Sequence, residues 1–244
     1  MTEADLIIEP RRGKKEKVLP SRALLVVNPS EAEYAFKTFE PVKSQVRSLY
    51  QQTTLLVDTD QTLCLAGPSL GAAAAVLILE KLIVLGVKEI WLVSCCGALD
   101  PSFSIGDLML AQGGVSGEGV SPYYSKDRVA SPGLQATHNL QEFAKQHWGD
   151  VRAGVIWSTD APYRERRSEL IALRERYGVI GIDMEFSALC TVAAHRGVSL
   201  GALFVVSDMI WTKNWKPGFG SADFKNSSQD LIGKLIAFGL TKEL

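Results

Sequence analysis

Nearly continuous apolar runs alternate along this chain with segments in which apolar residues recur every three or four positions. Runs of the first kind are typical of strands covered on both faces, and the second spacing is typical of helices that bury one face. The predicted strands include residues 23–27, 64–66, 89–93, 151–157, 179–182 and 201–206. This alternation predicts one α/β domain with a mainly parallel or mixed sheet and helices on both faces.

The three- or four-residue spacing predicts helices at 30–39, 70–85, 134–148, 168–177, 186–196 and 226–238. Ser30 is expected to cap the first helix, because Glu33 follows it at the spacing of a capping box. Residues 44–65 alternate loosely and are predicted to contain strands joined by a turn at 58–60. Residues 113–133 are rich in Gly, Ser, Pro and Tyr, so we expect a long loop there.

The composition is that of a globular protein with a sizeable core. Of the 244 residues, 46% are hydrophobic and 22% are charged, and the formal net charge is −1. This balance gives no electrostatic reason to expect nucleic acid or an anionic membrane as a partner. The sequence shows no apolar signal core behind the N-terminus, and no apolar run approaches the roughly 20 residues that span a bilayer. We therefore expect a cytoplasmic protein.

The cysteines give no sign of a metal site or of disulfides. They lack CxxC pairs, and no histidine stands at the spacing of a metal ligand. We expect reduced thiols, no metal and no organic cofactor. The four cysteines are Cys64, Cys95, Cys96 and Cys190.

Residues 1–22 are predicted to form an N-terminal arm that precedes a folded domain at 23–244. Within the arm, residues 10–17 carry five basic side chains and one acidic side chain. A solvated arm is the simplest interpretation of this charge. The alternative is an arm that delivers Arg11 or Arg12 to an anionic group, for example in a neighbouring subunit.

Acidic residues stand at the ends of predicted elements, where an α/β sheet usually builds its ligand crevice. Asp183 and Glu185 lie between the strand at 179–182 and the following helix, and Asp208 follows the strand at 201–206. Asp183 is predicted to cap the helix, since its carboxylate can accept the free backbone N–H groups of the first turn. The chemistry of the protein is therefore expected in this part of the chain.

Small residues follow two other predicted strands, at 67–69 (GPS) and at 94–97 (SCCG). With the helix between them they predict a βαβ unit. Small side chains at such turns let a ligand approach the backbone closely, although generic turns between strand and helix have the same composition. The glycines lack the GxGxxG spacing, so a dinucleotide site is not predicted.

Six motifs occur in a recognisable order between Ala23 and Leu240, namely AGPSLGAAAAVLILEKLIVLGV, VSCCGAL, GDLMLA, STDAPY, GIDMEFSAL and VVSD. In these motifs the chain resembles the nucleoside phosphorylase I family, which includes purine nucleoside phosphorylases, uridine phosphorylases and methylthioadenosine/S-adenosylhomocysteine nucleosidases. The resemblance implies a single-domain three-layer α/β/α sandwich around a mixed, barrel-like β-sheet. It also implies a small-molecule nucleoside as substrate and a homo-oligomer, which is a dimer, trimer or hexamer in different members.

The resemblance assigns roles to the acidic residues. Breaking an N-glycosidic bond creates oxocarbenium character on the ribose, as in glycoside hydrolysis. By the match of GIDMEFSAL, Glu185 would accept hydrogen bonds from the 2′- and 3′-hydroxyls, and Met184 would pack against the ribose. By the match of VVSD, Asp208 would protonate or hydrogen-bond the leaving base, which favours purines. The other residues expected at the substrate are Asp183, Ser207, Pro162, Tyr163, Cys95, Cys96 and Gly97.

The phosphate side departs from the family pattern. In phosphorylases of this family the first strand ends in Gly-Asp-Pro with an arginine close behind, whereas here residues 27–29 (VNP) are followed by Ser30 and Glu31. A second phosphate arginine and a threonine correspond to Leu92 and Cys95. These changes remove charge-assisted donors and add repulsion for a dianion. The candidates left for binding phosphate, the expected co-substrate, are Arg47, Gly67 and Ser94.

Three functions remain open at this level. The first, favoured because most of the family are phosphorylases, is ribosyl transfer from a purine nucleoside to phosphate. The second is a nucleosidase, in which water replaces phosphate, and the third is a nucleoside-binding protein with little turnover. A cysteine nucleophile at Cys95 or Cys96 would need a nearby base, and no histidine is recognisably placed to serve.

Overall fold

A mixed sheet runs through the protein, with helices packed on both of its faces. The computed structural model describes residues 6–50 and 53–241, and within them it contains one sheet of eleven strands. The strands are β1 (Arg22–Val26), β2 (Lys43–Ser48), β3 (Thr54–Asp58), β4 (Cys64–Gly67), β5 (Glu89–Ala98), β6 (Leu108–Gly117), β7 (Val129–Ala130), β8 (Arg152–Thr159), β9 (Val179–Asp183), β10 (Ser199–Met209) and β11 (Lys216–Pro217). The helices are α1 (Pro29–Phe39), α2 (Ala72–Val84), α3 (Leu134–Trp148), α4 (Arg167–Tyr177), α5 (Phe186–His195) and α6 (Ala222–Gly239).

Strands β5, β10, β6, β8 and β9 close into a ring. β5 pairs in parallel with β10, and β10 pairs antiparallel with β6. From β6 the ring continues in parallel through β8 to β9, and β9 returns to β5 in antiparallel pairing. Beyond β5 the sheet extends through β1, β4 and β3 to β2 at its edge. The predicted single α/β domain with a mixed, barrel-like sheet is confirmed.

The core lies in layers on the two sides of this sheet. Helices α2 and α5 pack on one face, and α1, α3 and α6 pack on the other. β5 is buried along nearly its whole length, as its apolar run predicts. On the second face Trp91 of β5 stacks on Phe238 of α6, with ring centroids 5.3 Å apart. None of the helices in the described ranges combines the length and the apolar character that crossing a membrane requires.

The loop predicted at 113–133 is wrong over its first part, because β6 continues to Gly117. Packing explains the glycines that suggested a loop. A Cβ on Gly117 would lie 2.2 Å from Trp157 Nε1, and a Cβ on Gly114 would lie 2.9 Å from the Cα of Ser187. These glycines let neighbouring elements approach the strand closely. The remainder of the segment contains a 3-10 turn and the short strand β7.

The predicted cap of α1 is also wrong. Asn28 precedes the helix, and Pro29 is its first residue. Proline suits that position because its φ is already helical and its missing N–H would have no partner there. The Ser30 hydroxyl instead donates to Glu31 Oε2 at 2.7 Å, so the capping box with Glu33 does not form.

The second small-residue turn, predicted at 94–97, is strand in the structure. β5 extends through Ala98, paired with β10 along this segment and with β9 near its end. Any site residues in the segment therefore lie on a rigid strand. The first small-residue turn, predicted at 67–69, is found with shifted bounds: Gly67 ends β4, residues 68–71 form the connection, and α2 begins at Ala72 rather than at Leu70.

Residues 6–21 contain no helix or strand, and Lys81 of α2 contacts the Arg11 carbonyl and the Glu16 carboxylate. Glu16 forms an ion pair with Lys81 of α2, with 2.6 Å between the carboxylate and the ammonium. The guanidinium groups of Arg11 and Arg12 donate to acceptors within the same arm. The basic segment is therefore attached to its own domain by charge pairing.

Candidate active site

A cavity of about 790 Å³ opens where β1, β5, β9 and β10 approach their carboxyl-terminal ends. This is the edge at which open α/β sheets bind ligands. The structure brings most of the predicted site residues together here, while their contact with a nucleoside stays a prediction. Those that line the cavity are Ser94, Cys95, Cys96, Gly97, Pro162, Tyr163, Asp183, Met184, Glu185, Ser207 and Asp208. Of these, Tyr163 reaches only the rim, since 97% of its surface is exposed.

Glu185 is buried immediately before α5, with 2% of its surface exposed. Its Oε1 accepts a hydrogen bond of 2.5 Å from the backbone N–H of Gly71, which lies 114 positions earlier in the chain. Gly71 precedes α2 with a φ of 91°, a conformation that glycine adopts without a steric penalty. The turn before α2 and the turn before α5 therefore meet at this carboxylate.

Asp183 holds the turn that carries Glu185. Its Oδ2 accepts from the amides of Glu185 at 3.1 Å and of Phe186 at 2.7 Å. Its Oδ1 accepts from the Ser158 hydroxyl of β8 at 2.5 Å. The prediction that Asp183 is the N-cap of α5 is wrong in position, because Glu185 occupies the N-cap and α5 begins at Phe186, but the Asp183 carboxylate does accept from the first helical amide.

Two buried carboxyl groups, those of Asp183 and Glu185, thus lie close enough at this turn for their charges to interact. Burial raises the pKa of Glu185 to about 8, and the negative charge of Asp183 adds to this effect. Burial also raises the pKa of Asp183, against the opposing hydrogen bonds from Ser158 and the two amides. Because Asp183 has these donors, we assign the negative charge to Asp183 and the proton to Glu185 in the free protein at neutral pH. Hydroxyl donors on a bound sugar would favour the Glu185 carboxylate.

Asp208 is buried at the end of β10 and is bonded on both oxygens. Its Oδ2 accepts from Trp215 Nε1 at 2.7 Å, and its Oδ1 lies 2.8 Å from the Ser207 hydroxyl. The Ser207 hydroxyl also lies 3.1 Å from the Cys96 carbonyl, and it has only one proton to donate. Since an indole N–H is a donor only, Oδ2 of Asp208 is an acceptor in this arrangement.

Gly97 makes room for Asp208. The two residues are paired in neighbouring strands β5 and β10. A Cβ on Gly97 would lie 3.0 Å from Asp208 Oδ2 and 2.4 Å from Ile210 Cδ1. Any larger residue at this position would push one of these side chains aside.

The side of the cavity next to β1 is formed by neutral groups. The Cys95 amide donates to Asn28 Oδ1 at 3.2 Å, and Asn28 Nδ2 donates to Cys95 Sγ at 3.2 Å. The Ser94 hydroxyl lies 3.4 Å from the same Asn28 oxygen. Burial raises the pKa of the Cys95 thiol to about 12, and the carboxylates of Glu31 and Glu185 add to the effect.

The cysteines of this side do not have the surroundings of a nucleophile. Burial raises the pKa of Cys96 well above its usual value, as it does for Cys95. Activation requires a base or a lowered pKa, and no histidine is among the described residues that line the cavity. The structure therefore disfavours a cysteine nucleophile.

Two arginines, both from α4, are the only basic side chains among the described residues that line the cavity. Arg174 Nη2 donates to Asp100 Oδ2 at 2.7 Å. Arg167 Nη2 donates to the carbonyls of residues 212 and 213 at 2.9 and 3.1 Å. Both guanidinium groups thus already donate hydrogen bonds within the protein.

Two of the phosphate-binding candidates do not line the cavity. Arg47 lies on β2 and donates to the Lys17 carbonyl at 3.2 Å and to Gln45 Oε1 at 3.0 Å. Gly67 is packed under β1, where a Cβ would lie 2.3 Å from the Val26 carbonyl oxygen. Ser94 does line it. Among the described residues, then, Arg47 and Gly67 do not contribute to the lining of the cavity.

Glu165 and Trp215 line the cavity. The sequence did not single out either residue, although residues 210–224, which include Trp215, were expected to help select the base. Burial raises the pKa of Glu165 to about 7, and the negative charges of Asp208 and Glu169 contribute. The charged run RERR around Glu165 has the pattern of a solvated surface. Trp215 belongs to an aromatic loop whose position relative to Asp208 depends on the fold. The described ranges contain no group of three or more His, Cys, Asp or Glu arranged to hold a metal ion.

Two solved structures resemble the fold over most of its length. One is a purine nucleoside phosphorylase of Toxoplasma gondii in complex with immucillin-H, with a TM-score of 0.78, 18% identity and 96% of each chain covered. The other is a futalosine hydrolase mutant of Helicobacter pylori strain 26695, with a TM-score of 0.73, 17% identity and coverage of 90% of this chain and 98% of that one. At this level of identity the likeness shows the fold alone.

Curated proteins of similar sequence are phosphorylases by name. A DeoD-type purine nucleoside phosphorylase of Clostridium novyi (strain NT) is 28% identical over 206 residues, which cover 82% of this chain and 87% of that protein. A guanosine phosphorylase of Halorubrum lacusprofundi is 27% identical over 183 residues, which cover 75% of each.

The match to a whole family agrees with these pairwise likenesses. A model of the phosphorylase superfamily matches residues 22–238, which include every strand and nearly all of the last helix. The residues brought together in the cavity all lie within this match. The chain is therefore a member of the phosphorylase superfamily.

Proposed function

We propose that this protein hydrolyses the N-glycosidic bond of a purine nucleoside, with water in the place that phosphate takes in a phosphorylase. The observation that carries this choice is the uncharged side of the cavity formed by Asn28, Ser94 and Cys95. A phosphate dianion is normally held by charge-assisted donors. Here Glu31 instead adds negative charge near Cys95. That charge would repel a phosphate dianion but would not repel a neutral water molecule.

Glu185 supports the sugar half of the proposal. A carboxylate fixed by the Gly71 amide can accept hydrogen bonds from two ribose hydroxyls. Its negative charge then lies close to the carbon at which positive charge develops when the glycosidic bond breaks. Asp183 acts on this step indirectly, by holding the backbone of the turn.

Asp208 and Glu165 support the base half. The departing purine gains negative charge, so a group that donates a proton or a hydrogen bond to it favours cleavage. Asp208 is assigned to the purine by the VVSD motif. Glu165 lines the same cavity and, with a pKa of about 7, can carry a proton at neutral pH. The proposal requires neither a metal nor an organic cofactor.

Phosphorolysis is the second candidate, and the names of the two curated relatives favour it. It would require cations from outside the cavity formed by the described residues, such as an arginine of a neighbouring subunit. A nucleoside-binding protein with little turnover is the third candidate.

The test is to incubate the purified protein with adenosine, inosine, guanosine and uridine, in phosphate-free buffer and in phosphate buffer. Free base and ribose 1-phosphate are measured in each. Release of a purine base and free ribose without phosphate supports hydrolysis. Release only with phosphate, together with ribose 1-phosphate, would establish phosphorolysis and contradict the proposal.

A matched control removes contaminating activity as an explanation. The Glu185→Gln variant, purified in the same way, should lose the release that the native protein shows. Tight binding of a nucleoside by the native protein with no release under either condition would favour the third candidate.

A further inference from the structure

The strand register places the two proposed ends of a nucleoside along β5. Ile182 of β9 lies opposite Gly97 of β5 in antiparallel pairing, so β9 runs back along β5 before the turn that carries Glu185. Asp208 is paired with Gly97 itself. The turn that carries Glu185 therefore lies on the side of Gly97 toward the start of β5.

Next to Asp208 the cavity is also lined by apolar side chains. Leu99 follows β5, and Ile210 follows β10 with its side chain beside Gly97. The other side chains come from α4 and from the loop after β10. We call this region the apolar annex and define it by Leu99, Leu170, Ile171, Ile210, Trp211 and Phe219, all of which line the cavity.

The annex has apolar surface that the chain itself does not cover. Ile171, Trp211 and Phe219 are 51%, 36% and 52% exposed. Contiguous exposed apolar surface next to polar groups is characteristic of binding sites. The cavity volume of about 790 Å³ also lies in the upper part of the range of roughly 300–1,000 Å³ found for small-molecule pockets.

The two arginines at the annex are already paired, and the carboxyl group of Glu165 also lines the cavity. Arg174 donates to Asp100, and Arg167 donates to two backbone carbonyls. An anionic ligand group would have to displace these acceptors. An uncharged apolar group would only have to cover the exposed hydrocarbon surface, which is favourable.

We propose that the annex binds a bulky, uncharged, apolar substituent on the purine, so that base-substituted purine nucleosides are the preferred substrate class. This inference rests on the proposed function, which places the purine at Asp208. The substituent would extend from the base, away from the sugar, and pack between α4 and the loop after β10.

The first experiment compares adenosine with N6-benzyladenosine. The full-length protein should cleave the benzylated nucleoside with a kcat/KM about tenfold or more above that of adenosine, because an aromatic ring is taken out of water. Isothermal calorimetry should show a Kd lower by a similar factor for the benzylated compound. Equal or weaker cleavage and binding of N6-benzyladenosine would overturn the inference.

The second experiment places a charge in the annex. Ile171→Asp alters a half-exposed side chain of α4, so the fold should tolerate it. It should lower kcat/KM for the benzylated nucleoside about tenfold more than it lowers kcat/KM for adenosine. Leu134→Asp is the matched control, because Leu134 is 89% exposed at the start of α3 and does not line the cavity. An equal loss for both nucleosides in Ile171→Asp would contradict the annex.

The outcomes separate this inference from the function on which it rests. If adenosine is hydrolysed and the benzyl group gives no advantage, the annex is refuted and the proposed function stands. If neither nucleoside is cleaved but the benzylated one binds about tenfold more tightly, the hydrolysis fails and the annex stands. If Ile171→Asp changes the sedimentation coefficient and leaves the substrate preference intact, the annex is an interface between copies and the inference is overturned.

Discussion

Glu185 is buried, bonded to the Gly71 amide and close enough to Asp183 for their charges to interact. A buried acceptor of this kind can hold two hydroxyl groups in a fixed geometry. The same surroundings make its ionised form costly to the fold, because desolvation and a second carboxylate both favour the proton. Replacing Glu185 should therefore affect both catalysis and the dependence of stability on pH.

Glu185→Gln should lower kcat/KM for the nucleoside by well over tenfold. The amide is a weaker acceptor for the sugar hydroxyls, and it carries no charge to favour the oxocarbenium character of the sugar. Steady-state kinetics measure the effect, with Glu142→Gln on the exposed face of α3 as a control for the purification. Kinetics unchanged from those of the native protein would remove Glu185 from the site.

The same variant should change the dependence of stability on pH. The pKa of Glu185 is about 8 in the folded protein, against 4.5 for an ordinary glutamate. Proton binding therefore stabilises the fold fully below about pH 4.5, and this contribution is lost as the pH rises through about 8. The glutamine variant has no such proton to lose. Its Tm relative to the native protein should be higher at about pH 9 than at about pH 5, by more than about 3 °C. A difference that does not vary with pH would contradict the raised pKa.

Gly97→Ala should lower kcat/KM for a purine nucleoside by at least about tenfold, because its methyl group would displace Asp208 or Ile210. Gly220→Ala is the matched control, since a Cβ there would meet nothing within 4 Å. Kinetics and thermal unfolding of both variants test the prediction. Normal activity in Gly97→Ala would show that the position of Asp208 does not matter to catalysis.

At the scale of the elements, one buried carboxylate ties the segment after β6 to α5. Glu118 Oε1 accepts from the hydroxyls of Ser116 at 2.8 Å, Ser121 at 2.5 Å and Ser187 at 3.0 Å. Its Oε2 accepts from the amides of Val120 at 2.6 Å and Ser121 at 3.0 Å. Burial alone would raise the pKa of Glu118, but these hydrogen bonds outweigh burial and lower it.

Glu118→Gln should therefore destabilise the protein at neutral pH. The amide places an N–H₂ group where only acceptors are satisfied, which costs about 1–3 kcal/mol, or a fall in Tm of more than about 2 °C. Because the pKa of Glu118 is lowered, the stabilising carboxylate is present above the ordinary pKa and is lost as the pH falls below it. The difference in Tm between variant and native protein should thus shrink in acid. A constant or absent difference would contradict this role.

The elements themselves were largely predictable from the spacing of apolar residues. The helix predicted at 134–148 is α3 as observed, and the last strand of the βαβ unit is found as β5. The predicted bounds were wrong where a glycine or serine was taken as a local turn or cap signal, although packing or a neighbouring residue determined the structure there. Residue 117 of β6 is a glycine because a Cβ there would collide with Trp157. Ser30 was predicted to be the cap of α1, whereas the helix already begins at Pro29.

At the scale of the whole molecule, the sheet brings segments that are far apart in the chain to one cavity. The turns that follow β1 and β9 and the late parts of β5 and β10 contribute Asn28, Glu185, Cys95 and Asp208. β2 remains at the open edge of the sheet, with Val46 57% exposed. Unpaired edges with apolar side chains favour association with another chain.

We predict that the protein is a homo-oligomer in solution, as the family resemblance implies. Sedimentation velocity should show a dimer, trimer or hexamer across a range of protein concentrations. A monomer at all concentrations would contradict the prediction. It would also remove a neighbouring subunit as the source of a phosphate-binding arginine.

By itself, the sequence determined the layered α/β architecture and identified Glu185 and Asp208 as candidates, because periodicity and short motifs are local properties of the chain. The resemblance to the family also predicts that basic residues are missing where its phosphorylases bind phosphate. Only the tertiary structure decided that the Gly71 amide meets Glu185, that Trp215 bonds Asp208 and that Arg47 lies away from the cavity. Such contacts join side chains far apart in the chain, and the packing of whole elements sets their distances.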